Sequence, residues 1–251
     1  MSPAQPGGSL LELRSVRAGY VAGHDIIRGI DLEVHQGEIV CVIGPNGAGK
    51  STVFKAVYGL VPVRAGNVVC DGADITNIAP QDALSTAGIA IVPQLRSTFA
   101  QMTVHENLEL GMYQCRDKTR IRERIEFVCD LFPKLAARSR QAAGTLSGGE
   151  QRMIEIGRSL MWEPRLVLMD EPSAGLSPLV TAEVFETIRR LNQEISLTVL
   201  MIEQNARQGL EASNRGYVIE QGIATYQGLS KDLLADPDVR RAFLGVRGEV
   251  A

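Results

Sequence analysis

The sequence predicts an α/β fold with a mostly parallel central sheet, and three observations carry that prediction. Ile39-Val40-Cys41-Val42-Ile43, Leu166-Val167-Leu168-Met169 and Leu197-Thr198-Val199-Leu200-Met201-Ile202 are runs too short for helices and too evenly apolar for half-exposed strands. Strands buried on both faces read this way. The first run leads into a glycine-rich loop and a helical pattern, and the second ends in Asp170-Glu171-Pro172 before a helix that starts at Pro178. Ligands of open α/β sheets collect beyond the carboxyl ends of such strands.

Length and composition set the outer limits. The 251 residues, 45% hydrophobic and 22% charged, suffice to bury a full core as one large domain or a domain with a subdomain. A net charge of −3 supplies no electrostatic footprint for nucleic acid. Arginine-containing stretches such as Arg120 to Arg124 alternate with acids and are expected to be solvated helix faces. No apolar stretch approaches the roughly 20 residues that span a bilayer. Met1 to Ser9 lacks the apolar core of a signal peptide and is expected to be a flexible leader. Cys41, Cys70, Cys115 and Cys129 have no zinc or redox spacing, so reduced, mostly buried thiols are expected.

In chain order, Leu11 to Val16 alternates with period two and Ile26 to Val34 gives a second, interrupted alternation, so both read as antiparallel strands. Tyr20 lies between them, where a planar ring either packs locally or stacks on an adenine. Gly44-Pro45-Asn46-Gly47-Ala48-Gly49-Lys50-Ser51 then fits G-x-x-x-x-G-K-[ST]. Its glycines let the backbone turn tightly and bring N–H groups to phosphate oxygens. Lys50 would reach the β- and γ-phosphates, Ser51 would place its hydroxyl on Mg²⁺, and the helix beginning near Ser51 adds its positive dipole end.

That helix ends near Gly59, and Gly66 to Cys70 with Asp71-Gly72 reads as a strand and hairpin turn. Ile89-Ala90-Ile91-Val92 is a short strand stopped by Pro93. Gln94 at that junction is either a surface loop residue or an amide that touches a metal-bound water. From about Thr103 to Ala143 the pattern is helical, with Val104, Leu108, Ile121, Ile125, Val128 and Phe132 at three- and four-residue spacing, as in an inserted helical lobe. Leu146-Ser147-Gly148-Gly149-Glu150-Gln151-Arg152 opens the next helix. Ser147 and Glu150 fit a capping box, and the adjoining glycines leave room for a second anion site. Asp170 suits a Mg²⁺ partner and Glu171 a base that orients the attacking water. A helix from Pro178 to about Glu194, a strand delivering Glu203-Gln204-Asn205 to the same edge, a hairpin through Gln221-Gly222 and a short helix from Asp236-Pro237 complete the chain.

From about Leu10 to Gly245 these residues resemble an ATP-binding-cassette (ABC) ATPase. Gly44 to Ser51 matches the Walker A loop, Leu146 to Gln151 the LSGGQ-type signature, and Leu166 to Glu171 Walker B with its glutamate. The resemblance implies a P-loop NTPase core with a mostly parallel sheet, an antiparallel β subdomain and a helical subdomain inserted at about 95–160. One domain would cover residues 10–245, followed by a tail at 246–251. It implies that ATP and Mg²⁺ are bound by Tyr20, by Gly44 through Thr52, by Gln94 and by Asp170, with Ser51, Gln94 and Asp170 at the metal. Lys50, Glu171 and Gln204 would serve catalysis.

It further implies a head-to-tail dimer in which Ser147, Gly148 and Gly149 of one subunit close on the γ-phosphate held by Lys50 of the other. Two departures stand out: Gln204 occupies the position of the family's γ-phosphate histidine, and Ser177 replaces the usual D-loop Asp. An amide donates a hydrogen bond but carries no positive charge, so weaker hydrolysis at this chain's own site is expected. Glu203 to Ala206, Asp236 to Gly245 and Met102 to Leu108 look like the second, shorter ATPase of branched-chain amino acid importers or of relatives for urea and short amides. That resemblance implies a second cassette subunit, two permeases, an indirect link to a periplasmic binding protein, and a place on the cytoplasmic face of the inner membrane. The groove near Gln94 to Met102 would receive a permease helix. The alternative is a soluble cassette ATPase that drives no transport.

Overall fold

A computed structural model describes residues 8–244, so Met1 to Gly7 of the expected leader and all of the expected tail lie outside the described residues. The chain begins with two alternating strands, β1 (Ser9–Ala18) and β2 (Ile27–His35), which pair antiparallel. A register shift falls between Leu13 and Val16 of β1, where Ser15 takes a left-handed φ of 49°. β3 (Ile39–Ile43) follows and is buried at every residue. Next come α1 (Lys50–Val57), β4 (Val63–Cys70) and the two-residue β5 (Ala73–Asp74), with β4 and β5 joined by the expected Asp71-Gly72 turn.

The short α2 (Ala83–Ala87) leads to β6 (Ile89–Val92). Between β6 and the next strand lie α3 (Val104–Glu109), α4 (Lys118–Leu131), α5 (Pro133–Ala136) and α6 (Gly148–Ser159). The chain then runs through β7 (Leu166–Asp170), α7 (Pro178–Ile195), β8 (Thr198–Ile202), α8 (Ala206–Glu211), β9 (Arg215–Glu220), β10 (Ile223–Leu229), α9 (Ser230–Ala235) and α10 (Pro237–Phe243).

These strands form a four-stranded antiparallel sheet of order β2-β1-β4-β5 and a six-stranded sheet of order β10-β9-β3-β8-β7-β6. In the larger sheet every pairing is parallel except that of the edge strand β10 with β9. Successive side chains of a strand point to opposite faces, and both faces are covered here. Ile39, Cys41 and Ile43 of β3 enter a core shared with α3, α4, α6 and α7, whereas Val40 and Val42 enter a core shared with α1 and the antiparallel sheet. β7 divides the same way, Val167 and Met169 against Leu166 and Leu168. Because β3, β8, β7 and β6 run parallel, their carboxyl ends deliver Gly44, Glu203, Glu171 and Pro93 to one edge.

One expectation is corrected here. Arg124 is not on a solvated face: its guanidinium stands 4.3 Å from the Phe127 ring centroid and donates to Leu160 O at 2.9 Å, Met161 O at 3.2 Å and Glu163 at 2.8 Å. The 3-10 turn after α6 leaves carbonyls without helical partners, and a long arginine reaches them. Arg122, by contrast, is exposed as expected. Among the described residues no helix is long and apolar enough to cross a membrane.

Candidate nucleotide site

The loop after β3 is shaped by its glycines. Gly44 has φ 147°, and a Cβ there would stand 2.1 Å from Ile219 O on β9, so any side chain would drive β9 away. Gly49, at φ 105°, ends the loop and serves as the N-cap of α1, with no side chain bonded to the helix start. Lys50 is buried and folds back over the loop, its Nζ donating to Gly44 O at 2.7 Å and Pro45 O at 3.0 Å. Burial lowers its pKa, while the negative charges of Glu171 and Asp170 act to raise it. A cleft of about 240 Å³ opens here, lined by Asn46, Gly47, Lys50, Ser51 and Thr52 and, from the end of β7, by Glu171.

The two acids at that strand end have different surroundings. Asp170 Oδ1 is buried with no hydrogen-bond partner. Burial, and then the neighbouring Glu171 charge, push its pKa up. A buried, unpartnered carboxylate oxygen is costly unless a cation or donor arrives. Glu171 instead has φ 47°, a conformation that costs a non-glycine residue on the order of 1 kcal/mol. Its N–H donates to Ile202 O at 2.9 Å, and its Oε2 accepts from Gln94 Nε2 at 2.6 Å. The amide after β6 thus meets the carboxylate after β7.

Gln204 is exposed and lines a neighbouring cleft of about 420 Å³ with Glu171, Ser173 and Asn205. Tyr20 does not line the loop cleft. It is half exposed beside α1, where its hydroxyl accepts from Lys55 Nζ at 2.9 Å and the same ammonium stands 5.3 Å from the ring centroid. Ser147, Gly148 and Gly149 do not line that cleft either. Ser147 forms the expected capping box, its Oγ 2.8 Å from Glu150 Oε2 and accepting from Glu150 N at 3.3 Å. Arg138 pairs with that glutamate at 2.8 Å.

Sequence reasoning missed the link between α6 and Gln94. Arg152 and Glu155 form a buried ion pair at 2.9 Å, and Arg152 also donates to Pro93 O at 2.9 Å and Gln94 O at 3.2 Å. Glu155 accepts from Thr98 N at 3.1 Å, so α6 grips both ends of the segment from Pro93 to Thr98. The available signal was a pair of opposite charges three apart beside Ile154 and Ile156.

Against known proteins, residues 27–174 match the ABC transporter family. The chain belongs to that family. It is an ATP-hydrolysing, transport-coupled cassette, and such cassettes work with membrane permease partners. The cassette is 41% identical over 219 residues to the high-affinity branched-chain amino acid transport ATP-binding protein BraG of Pseudomonas aeruginosa, covering 87% of this chain and 93% of that one. The probable branched-chain amino acid transport ATP-binding protein LivF of Archaeoglobus fulgidus is 36% identical, with 93% and 99% covered. The lipopolysaccharide export system ATP-binding protein LptB of Escherichia coli K12 is 36% identical, with 89% and 92% covered. Among solved structures, the ADP conformation of MJ1267, an ATP-binding cassette of an ABC transporter, superposes with a TM-score of 0.84 at 28% identity over 95% of this chain and 99% of that one.

Proposed function

We propose that this cassette hydrolyses Mg²⁺–ATP to drive import of branched-chain amino acids or a related small solute such as urea or a short amide. The observation that carries the solute class is the 41% identity to BraG across nearly the full length of both chains, above the 36% to the export protein LptB. On this reading it sits at the cytoplasmic face of the inner membrane as half of a cassette pair, under two permeases served by a periplasmic binding protein. Exposed Leu95, on the segment gripped by Arg152 and Glu155, and Phe99 just beyond it offer the apolar surface a permease helix would meet.

Each side chain has a task in that reaction. Lys50 exchanges its two loop carbonyls for β- and γ-phosphate oxygens, as a cation whose present partners are neutral. The unpartnered Asp170 Oδ1 fits a divalent cation, and Ser51, Asp170 and Gln94 would hold Mg²⁺, which supplies charge neutralisation on the phosphates. Glu171 orients the attacking water and receives its proton, and Gln94 holds that carboxylate in place at 2.6 Å. Gln204 offers the γ-phosphate a neutral amide donor, a weaker contact than an imidazolium. A histidine-bearing partner cassette would then carry much of the turnover, with Ser147, Gly148 and Gly149 closing across the pair.

The test is uptake into vesicles that hold the permeases encoded beside the gene, the partner cassette and internal ATP, with the periplasmic binding protein outside and labelled leucine, urea and acetamide offered separately. Uptake of one of these that needs ATP and disappears with Lys50→Ala is the expected result. ATP turnover that neither permeases nor solute alters would overturn the transport assignment in favour of a soluble cassette.

A further inference from the structure

Glu203 is a buried carboxylate that the reaction as described does not use. It is 1% exposed, directly after β8, and its own N–H donates to Val42 O at 3.2 Å. Gly209 of α8 makes the room: a Cβ there would stand 2.9 Å from Glu203 Cβ and 2.7 Å from Cys41 Sγ. No lysine, arginine or histidine among the described residues forms an ion pair with it. Its partner is instead Ser173, whose N–H donates to Oε1 at 3.1 Å and whose Oγ donates to Oε2 at 2.8 Å. A carboxylate removed from water with no cation is costly to keep, whereas an apolar side chain would fill the space at no such cost.

The position explains what that cost secures. Ser173 is two residues after Glu171, and Glu203 immediately precedes Gln204, so the side-chain pair spans the gap between the two strand ends that carry the hydrolytic groups. A third bond, Glu171 N to Ile202 O at 2.9 Å, lies on the same seam. With only that backbone bond, the segments after β7 and β8 would be free to pivot apart, and both line the same cleft of about 420 Å³.

We propose that Glu203 is a positioning residue for hydrolysis: through its two bonds to Ser173 it clamps the segment bearing Glu171 to the segment bearing Gln204. This rests on the reading of Glu171 as the group that orients water. Misplacing such a group by about 1 Å costs on the order of a hundredfold in rate. The clamp acts after nucleotide binding, because neither Glu203 nor Ser173 lines the loop cleft.

Steady-state ATP turnover of the full chain, in the assembly in which it is active and with the partner cassette's own site inactivated, tests this with Glu203→Ala, Glu203→Gln, Ser173→Ala and Glu171→Gln. Glutamine can still accept from the Ser173 N–H and donate to its Oγ, so it keeps both links without the charge. The expected result is a fall in kcat of about tenfold or more for Glu203→Ala with KM for ATP within about twofold of the parent. Glu203→Gln should recover most of that loss, and Ser173→Ala should fall between the two. If Glu203→Ala does not fold, the kcat and KM of Ser173→Ala decide. Unchanged kcat in whichever of the two decides, a rise in KM matching the fall in kcat, or equal losses for the Ala and Gln variants would overturn the clamp. Turnover retained by Glu171→Gln would instead overturn the hydrolytic reading, and the clamp with it.

Discussion

The starts of α1 and α6 look alike in sequence, each a helix with glycines at its beginning, and differ in what they leave open. At α1 the N-cap is Gly49 in a left-handed conformation with no side-chain cap, and the buried Lys50 is held by two neutral carbonyls. At α6 the N-cap is Ser147 in a complete capping box, with the Glu150 carboxylate already at the positive end of the helix and Arg138 beside it. An uncapped helix start is a vacancy for an anion, and a boxed one already has its anion. A phosphate at α6 must therefore share donors with Glu150, which suits the late contact proposed for a closing pair of cassettes better than a first binding site.

Variants at these helix starts and at the neighbouring strand ends test this difference. Lys50→Ala attacks the open end and is expected to have the largest effect of these, lowering ATP turnover by on the order of a hundredfold in a phosphate-release assay with the partner cassette's own site inactivated. Next, Asp170→Asn should lower Mg²⁺-dependent turnover by a smaller factor while leaving thermal stability unchanged or raised at neutral pH, because it removes a carboxylate whose buried Oδ1 has no hydrogen-bond partner.

The sign with pH follows from the direction of the Asp170 shift. Its folded pKa lies above the ordinary 3.8, so the folded protein holds the proton more tightly than the unfolded chain. The parent's penalty is then full above the folded pKa and fades as pH falls through that value toward 3.8. Melting temperatures of parent and variant should accordingly converge in acid.

Gln204→His places a titratable donor at the γ-phosphate end and should raise turnover by about threefold to tenfold near neutral pH. An unchanged or lower rate would mean that the amide already fits its surroundings. The smallest effect belongs to the boxed end. Ser147→Ala should lower stability in a denaturant titration by about 1 kcal/mol, the usual worth of an N-cap, with nucleotide affinity of the separate chain unaltered. A loss of affinity there would mean that the two helix starts serve one site within one chain.

Much of this was readable because the signals were local. The loop Gly44 to Ser51, the strands around it and the hairpin through Gln221-Gly222 are contiguous patterns whose chemistry and conformation are set within a few residues. Strand polarity followed from Leu166 to Met169 and Leu197 to Ile202 being apolar throughout, and β7 and β8 do pair parallel. What escaped was short or distant. α8 spans six residues, too few for a helical period to show, although Asn205 is its N-cap and accepts from Gln208 N at 3.2 Å. The grip of Arg152 on Pro93 and of Glu203 on Ser173 joins residues far apart in sequence, and nothing in either stretch alone points to the other. Arg124 misled because its charge suggests solvent, while its length let it cover Phe127 and reach the end of the neighbouring helix.

Whether Glu171 at the end of β7 drives hydrolysis of ATP held by the open start of α1 is read out by Glu171→Gln, measured for nucleotide binding and for turnover in parallel. Glutamine keeps the size of the side chain and a polar partner for Gln94 but cannot take a proton from water. With the partner cassette's own site inactivated, ATP should bind at parental affinity, turnover should fall by at least about a hundredfold, and an ATP-bound pair of cassettes should persist. Turnover at the parental rate would contradict it and would move the hydrolytic role to another residue at this sheet edge.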